Sequence, residues 1–333
     1  MKHPPYHLRP NKAVDRLLLV DILRKLSTES GNFTYYSLAG PFLEDLRVMD
    51  HFFPEMKLVS IERSEQTFKR QQFNKFSSRL DLRRVTFDDF LNHDYEPQEY
   101  DVFWLDYTDL KYARFDEFQS LLTQVEPNSV IRLTLRAEPS IDLRVLDNRV
   151  SEDEVVRLRN ELIETFKNEF DKVLPHDSEL LCNAFKKQSV FAHMIQLMVR
   201  NAASQALDTS GNTLVYLPLQ STRYIDLTQM VSVTGIVCLR EEEEMMRSKL
   251  ASIRFANFDW ETPPEQINIP ALSVKERLHL EEHLPIAEDK NAGEMLFKKL
   301  GYMIENNANQ SKKQLSHYAY CYRDYPNFIR ILI

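Results

Sequence analysis

Four carboxylates stand where apolar runs end. Glu62 follows Lys57-Leu58-Val59-Ser60-Ile61, Asp88 and Asp89 follow Leu82-Arg83-Arg84-Val85-Thr86-Phe87, and Asp106 follows Tyr100-Asp101-Val102-Phe103-Trp104-Leu105. A carboxylate can accept two hydroxyl protons side by side, meet an amino group, or take a proton from a reacting oxygen. Tyr107 comes next to Asp106 and can shape a pocket beside it. A further apolar run, Phe33-Thr34-Tyr35-Tyr36-Ser37-Leu38, goes directly into the turn Ala39-Gly40-Pro41. In an open parallel sheet, ligands sit outside the carboxyl ends of the strands where strand order reverses. Polar residues that punctuate four such ends in series point to a bound nucleoside-containing ligand.

The elements that must position these groups follow from periodicity. Val14, Leu17, Leu18, Ile22 and Leu26 recur at helical spacing ahead of the first run. Strand-like and helix-like stretches then alternate to Asn128, the pattern of a doubly wound α/β sheet, and Gly40-Pro41 reads as a helix start. A fifth strand is expected over 129–135, then long helices near 151–171, capped by Ser151, and 178–207. Runs at 213–219 and 230–238, joined by Ser221-Thr222-Arg223-Tyr224, read as an antiparallel pair. After about residue 245 the chain turns mostly helical, giving an expected division into 1–244 and 245–333.

Composition narrows the classes. The 333 residues suffice for about two domains, and 43% hydrophobic with 28% charged residues is ordinary for a globular protein. No apolar run is long enough to span a membrane, and Met1-Lys2-His3-Pro4-Pro5 does not open a secretory signal. Cys182, Cys238 and Cys321 are odd in number and widely spaced, which fits a reducing, cytoplasmic setting rather than a disulfide framework. A net charge of −8 disfavours generic nucleic-acid binding, although Lys69, Arg70, Lys75, Arg79, Arg83 and Arg84 form a local basic cluster.

With these pieces in order, the chain resembles the class I S-adenosylmethionine-dependent methyltransferases over roughly residues 30–240. The resemblance implies a Rossmann-like seven-stranded sheet with helices on both faces, ending in an antiparallel hairpin, here followed by the smaller helical C-terminal module. It also implies roles. Ser37, Leu38, Ala39 and Gly40 would cradle the methionine part of S-adenosylmethionine, Glu62 would hold the ribose hydroxyls, and Asp88 or Asp89 would meet the adenine amino group. Asp106 and Tyr107 would face the methyl group and the acceptor, with Asp106 able to orient the acceptor or take its proton. The cofactor turn departs from the family in being glycine-poor: the whole chain has six glycines, and Pro41 supplies no amide donor. The segment after the fourth strand lacks the Pro-Pro-aromatic signature of base-amine methylation, so an oxygen acceptor is expected.

Other signals have ordinary readings. Arg132 and Arg136 share a strand face and are expected to be solvated on an edge. His279-Leu280-Glu281-Glu282-His283 matches a zinc-protease pattern but lies in a charge-rich amphipathic helix without a third-ligand motif, and no metal is expected. The aromatic tail, with Tyr318, Tyr320, Tyr322, Tyr325, Phe328 and the apolar end Ile331-Leu332-Ile333, reads as core, with a stacking surface for bases or a face for a protein partner as the sharper alternatives. The rival to an enzyme is therefore a methyltransferase-like scaffold subunit that docks partners through its C-terminal module.

Overall fold

The computed structural model describes residues 9–27, 33–139, 151–208, 213–286 and 291–326. The N-terminal pentapeptide, Phe328 and Ile331–Ile333 lie outside them. The chain divides into two compact units, one of Val20–Arg223 with Leu227–Glu265, the other of Met1–Leu19, Tyr224–Asp226 and Gln266–Ile333. This differs from the 1–244 and 245–333 division expected from sequence, because the start of the first helix groups with the C-terminal segments.

In the larger unit, strands β1 (Thr34–Ser37), β2 (Lys57–Ile61), β3 (Leu80–Arg83), β4 (Asp101–Asp106) and β5 (Val130–Arg136) alternate with helices. The helices are α2 (Glu44–Phe52), α3 (Glu65–Asn74), α4 (Phe87–His93) and α5 (Tyr112–Leu122), with α1 (Pro10–Leu26) ahead of β1. Then come α6 (Glu152–Phe170), α7 (Ser178–Ala184), α8 (Gln188–Asp208), and the long strands β6 (Leu214–Asp226) and β7 (Thr228–Leu239). The sheet runs β3-β2-β1-β4-β5-β7-β6, with the two-residue β8 (Glu265–Gln266) as an eighth strand next to β6. The first five strands are mutually parallel and β7 is antiparallel to β5. Strand order reverses between β1 and β4, which opens a crevice at their carboxyl ends.

Residue chemistry explains the packing. Val102-Phe103-Trp104-Leu105 of β4 is buried on both faces, as a central parallel strand requires. The Phe103 ring stacks on Tyr36 of β1 at 4.4 Å and 8°, which locks the two strands on either side of the crevice in register. At Gly235 of β7 an added Cβ would lie 2.5 Å from the Tyr216 ring, so only glycine lets β6 and β7 approach there.

Several expectations change. β3 ends at Arg83 rather than Phe87, because Thr86 caps α4 by accepting from the Asp89 amide and so claims Phe87 for the helix. Gly40-Pro41 is a turn, not a helix start; α2 begins at Glu44 behind Leu43, whose φ of 57° is left-handed. The helix expected over 178–207 is two helices, α7 and α8, with Phe185 closing the first. Ser221-Thr222-Arg223-Tyr224 is no loop but the far part of β6; the hairpin turns at Leu227, φ 68°. Arg132 is not on an edge. Its strand lies between β4 and β7, and the guanidinium is fully buried over the Trp104 ring, donating to Thr234 at 3.1 Å. The basic cluster is interleaved with acids: Lys69 pairs with Glu65, Arg79 with Asp50 and Arg83 with Asp81.

The smaller unit carries α10 (Val274–Glu281), α11 (Ala292–Leu300) and α12 (Ala308–Cys321), while α9 (Glu243–Leu250) belongs to the larger one. A full capping box of Ser273 and Glu276 starts α10. Tyr318 and Tyr325 are buried and meet edge to face, so part of the aromatic tail is core, whereas Tyr320 is exposed. At the end of α10, His279, Glu282 and His283 offer ligand atoms within 4.8 Å of one another, and His279 Nε2 bonds the Lys299 carbonyl.

Candidate active site

The turn after β1 is shaped from outside. Gln71 of α3, itself fully buried, donates to the carbonyl oxygens of Ala39 at 2.6 Å and Gly40 at 3.3 Å, and Asn74 donates to that of Pro41 at 2.8 Å. Ser60 of β2 in turn donates to Gln71 at 3.2 Å. Two side chains of one helix therefore fix the carbonyls of three successive turn residues. Gly40 keeps an ordinary backbone, and an added Cβ would meet nothing within 4 Å. The protein itself does not need glycine there. Ser37 is committed elsewhere: its hydroxyl, like that of Tyr35, donates to the buried Asp45 carboxylate of α2.

Beyond this turn lies a cleft of about 290 Å³ at the carboxyl ends of β1, β2 and β4. Leu38, Glu62, Asp106 and Tyr107 line it together, so the structure joins four of the nine residues expected at the site. Ser37, Ala39 and Gly40 form the turn behind Leu38 without lining the cleft. Glu62 is half-buried, with Oε1 accepting from the Ser64 amide at 2.6 Å, which aims the carboxylate along the start of α3. Asp106 is half-buried at the end of β4, in register with Thr134 of β5.

Asp88 and Asp89 do not line the cleft. Both sit exposed in the first turn of α4, and Asp89 accepts from the Thr86 hydroxyl at 2.6 Å as part of the cap. In their place Val85, Thr86 and Phe87 face the cleft. The wall where a purine would rest is thus mainly apolar rather than acidic.

Sequence reading missed the far wall. Arg114 of α5 holds Asp109 with two bonds and reaches Glu117 at 3.1 and 3.2 Å, and all three line the cleft. Hydrogen bonding from Arg114 holds the Asp109 carboxyl below the usual range. The same guanidinium lies 4.5 Å from the centroid of the buried Tyr107 ring. Burial, and then the Glu117 carboxylate, push the Tyr107 phenol well above its ordinary value, so it stays protonated at neutral pH. The available signal was Arg114 and Glu117 three apart on one helical face, with Asp109 three residues beyond Asp106.

The residues present suit S-adenosylmethionine. Glu62 can accept from a pair of vicinal hydroxyls, and Leu38, Val85 and Phe87 offer an apolar surface for a base. Asp106 and the Asp109–Arg114–Glu117 group bring net negative charge to the same cleft, which suits a ligand with a cationic sulfur. The open space at Gly40 allows a ligand to approach the turn backbone closely.

The profile of the family described as "Putative O-methyltransferase" matches residues 4–333, nearly the whole chain. No curated protein matches the sequence. Among solved structures, the plantazolicin methyltransferase BpumL in complex with SAH is 10% identical, with 67% of this chain and 84% of that one covered and a TM-score of 0.38. The apo S-adenosylmethionine-dependent methyltransferase SibL is 10% identical over 66% of this chain and 54% of its own, TM-score 0.32. A single-residue variant of LepI in complex with SAH and a substrate analogue is 9% identical over 65% and 46%, TM-score 0.34. The family profile and the strand order together give the identification: the chain belongs to this O-methyltransferase family, within the Rossmann-like S-adenosylmethionine-dependent methyltransferases.

Proposed function

We propose that the protein transfers the sulfonium methyl of S-adenosylmethionine to an oxygen of its acceptor. The observation that carries this reading is the convergence of Glu62 and Asp106 on one cleft, from strands on either side of the β1 turn. When bound, S-adenosylmethionine supplies a methyl group on a positively charged sulfur. Glu62 would accept the ribose hydroxyls, and Leu38 and Phe87 would flank the base. Asp106 would orient the acceptor and favour the developing arrangement by its charge. Most of the rate enhancement then comes from holding donor and acceptor in line and excluding water. The three cysteines are free and no helix among the described residues is long and apolar enough to cross a membrane, which supports a cytoplasmic assignment as part of this proposal.

A second reading is a catalytically silent subunit that keeps the fold and docks a protein through its C-terminal helices. The exposed Leu278, Tyr302, Met303 and Tyr320 favour it. Calorimetric titration with S-adenosylmethionine and its demethylated product separates the two. Binding at a hundred times the dissociation constant should stabilise the fold by about 2.7 kcal/mol, a readily measured melting shift. A well-folded sample with neither heat nor shift at millimolar ligand overturns the methyl-transfer reading.

A further inference from the structure

A second cavity, of about 190 Å³, lies past the end of β5. Its walls are Leu110, Leu162, Phe166, Phe170, Phe185 and Phe191. The Phe166 ring centroid is 4.5 Å from that of Phe170, 5.5 Å from Phe185 and 5.7 Å from Phe191, all tilted or edge-on, so the aromatic wall is packed in advance of any ligand. Asp109 lines both this cavity and the cofactor cleft. Asp109 is thus common to the two linings.

The geometry points to a monocyclic phenol without a carboxylate as the methyl acceptor, its ring among the phenylalanines and its hydroxyl on Asp109. This rests on the methyl-transfer reading above. Size admits a ring: an apolar protein cavity of about 150 Å³ takes up benzene, so the space here has room for one ring with a substituent. Charge sets the substituent. Among the described residues, three carboxylates, Asp109, Glu138 and Glu169, line the cavity with the guanidinium of Arg136; Arg136 pairs with Glu138 at 2.9 Å and Asp109 is held by Arg114, which leaves Glu169 as the excess charge. An anionic acceptor meets net repulsion there. A neutral hydroxyl finds Asp109 as acceptor.

The step balances simply. The phenol donates its O–H to Asp109 while an oxygen lone pair forms the new O–C bond. The C–S bond breaks and its electron pair stays on sulfur, and the proton passes to Asp109 and on to solvent. Asp109, held ionised by Arg114, is a weak base. It suffices because the oxygen becomes strongly acidic as it gains the methyl group.

The test uses the purified full chain with S-adenosylmethionine, and 4-methylphenol, 4-hydroxybenzoate and 2-naphthol as probes. Formation of demethylated cofactor is followed, and probe binding is measured by calorimetry with that product bound. The expected result is turnover of 4-methylphenol, with the other two at least tenfold poorer. Thr165→Trp, at an exposed position of α6 that lines the cavity, should weaken 4-methylphenol at least tenfold and leave affinity for the demethylated cofactor within twofold. Cofactor binding without any binding of 4-methylphenol overturns the acceptor assignment alone, as does a preference for 4-hydroxybenzoate or an inert Thr165→Trp. Absence of cofactor binding overturns the methyl-transfer reading and this assignment with it.

Discussion

Arg114 holds both oxygens of Asp109, Nε to Oδ1 at 2.9 Å and Nη2 to Oδ2 at 3.2 Å. The fork leaves Asp109 ionised and oriented in a lining shared by the cleft and the phenylalanine cavity.

Replacing Arg114 with Gln should return the Asp109 carboxyl toward its ordinary range. A lowered carboxyl pKa stabilises the fold above the unfolded value of about 3.9, and that stability is lost as pH falls through the folded value. The variant should therefore lose less stability than the wild type as pH drops below about 4. At neutral pH it should be weaker by about 1–2 kcal/mol, modest because Asp109 is one-third exposed. Urea unfolding across pH checks both; parallel acid limbs would show that the pair does not titrate with folding.

Glu62→Gln keeps size and shape but removes the charge. If the carboxylate accepts two ribose hydroxyls, loss of charge-assisted bonds worth about 1.5–3 kcal/mol should weaken cofactor binding roughly ten- to a hundredfold. The melting temperature without ligand should hardly move. Calorimetry showing unchanged affinity would leave Glu62 as a cap for the Ser64 amide and nothing more.

Asp106→Asn distinguishes enzyme from scaffold. Cofactor affinity should stay within a few-fold while turnover of an accepted phenol falls by about a hundredfold, the scale of a misplaced acceptor. Equal turnover in the two proteins would remove Asp106 from the chemistry.

Gly40→Ala tests the turn from the ligand side. Since the backbone is ordinary and the space open, stability should change by less than about 0.5 kcal/mol. A ligand drawn close to the turn would collide with the new methyl, so cofactor affinity should drop several-fold. Unchanged affinity would place the ligand away from residue 40.

Asp101, fully buried at the other end of β4, accepts from Tyr95 at 2.8 Å and from the Gln98 amide at 3.0 Å, yet burial raises its pKa to about 6. Between the unfolded value of about 3.9 and the folded value the native state binds the extra proton, so this group makes stability fall as pH rises. Melting curves of Asp101→Asn should lack that component of the slope over pH 4–6, which a direct comparison with wild type reads.

How far the sequence disclosed this arrangement depended on how local each cause was. β2 is legible to the residue, because its apolar alternation and the carboxylate that ends it are contiguous. The stretch from Leu82 to Phe87 misled because a strand-like alternation runs straight through Thr86, whose hydroxyl starts a helix instead. Arg132 looked like a surface residue because the strand that covers it, β7, arrives a hundred residues later, with Thr234 as its partner. At the site, Glu62 and Asp106 were visible as strand ends. The Asp109–Arg114–Glu117 group was not, since it forms across a loop and a helix. The phenylalanine cavity was further out of reach: its rings come from α6, from α8 and from Phe185 at the break between α7 and α8, which periodicity did not reveal.

The hold of Gln71 and Asn74 on the β1 turn has a consequence for how such proteins are found. A loop whose curvature is imposed by a neighbouring helix no longer has to encode that curvature in its own letters. Glycine spacing, the usual fingerprint of a nucleotide-binding turn, then ceases to be diagnostic, because the information has moved some thirty residues downstream into two amide side chains. A fingerprint for this kind of turn would pair a strand–turn with a Gln-x-x-Asn on the second helix after it, and would pick out chains that a glycine-based search passes over.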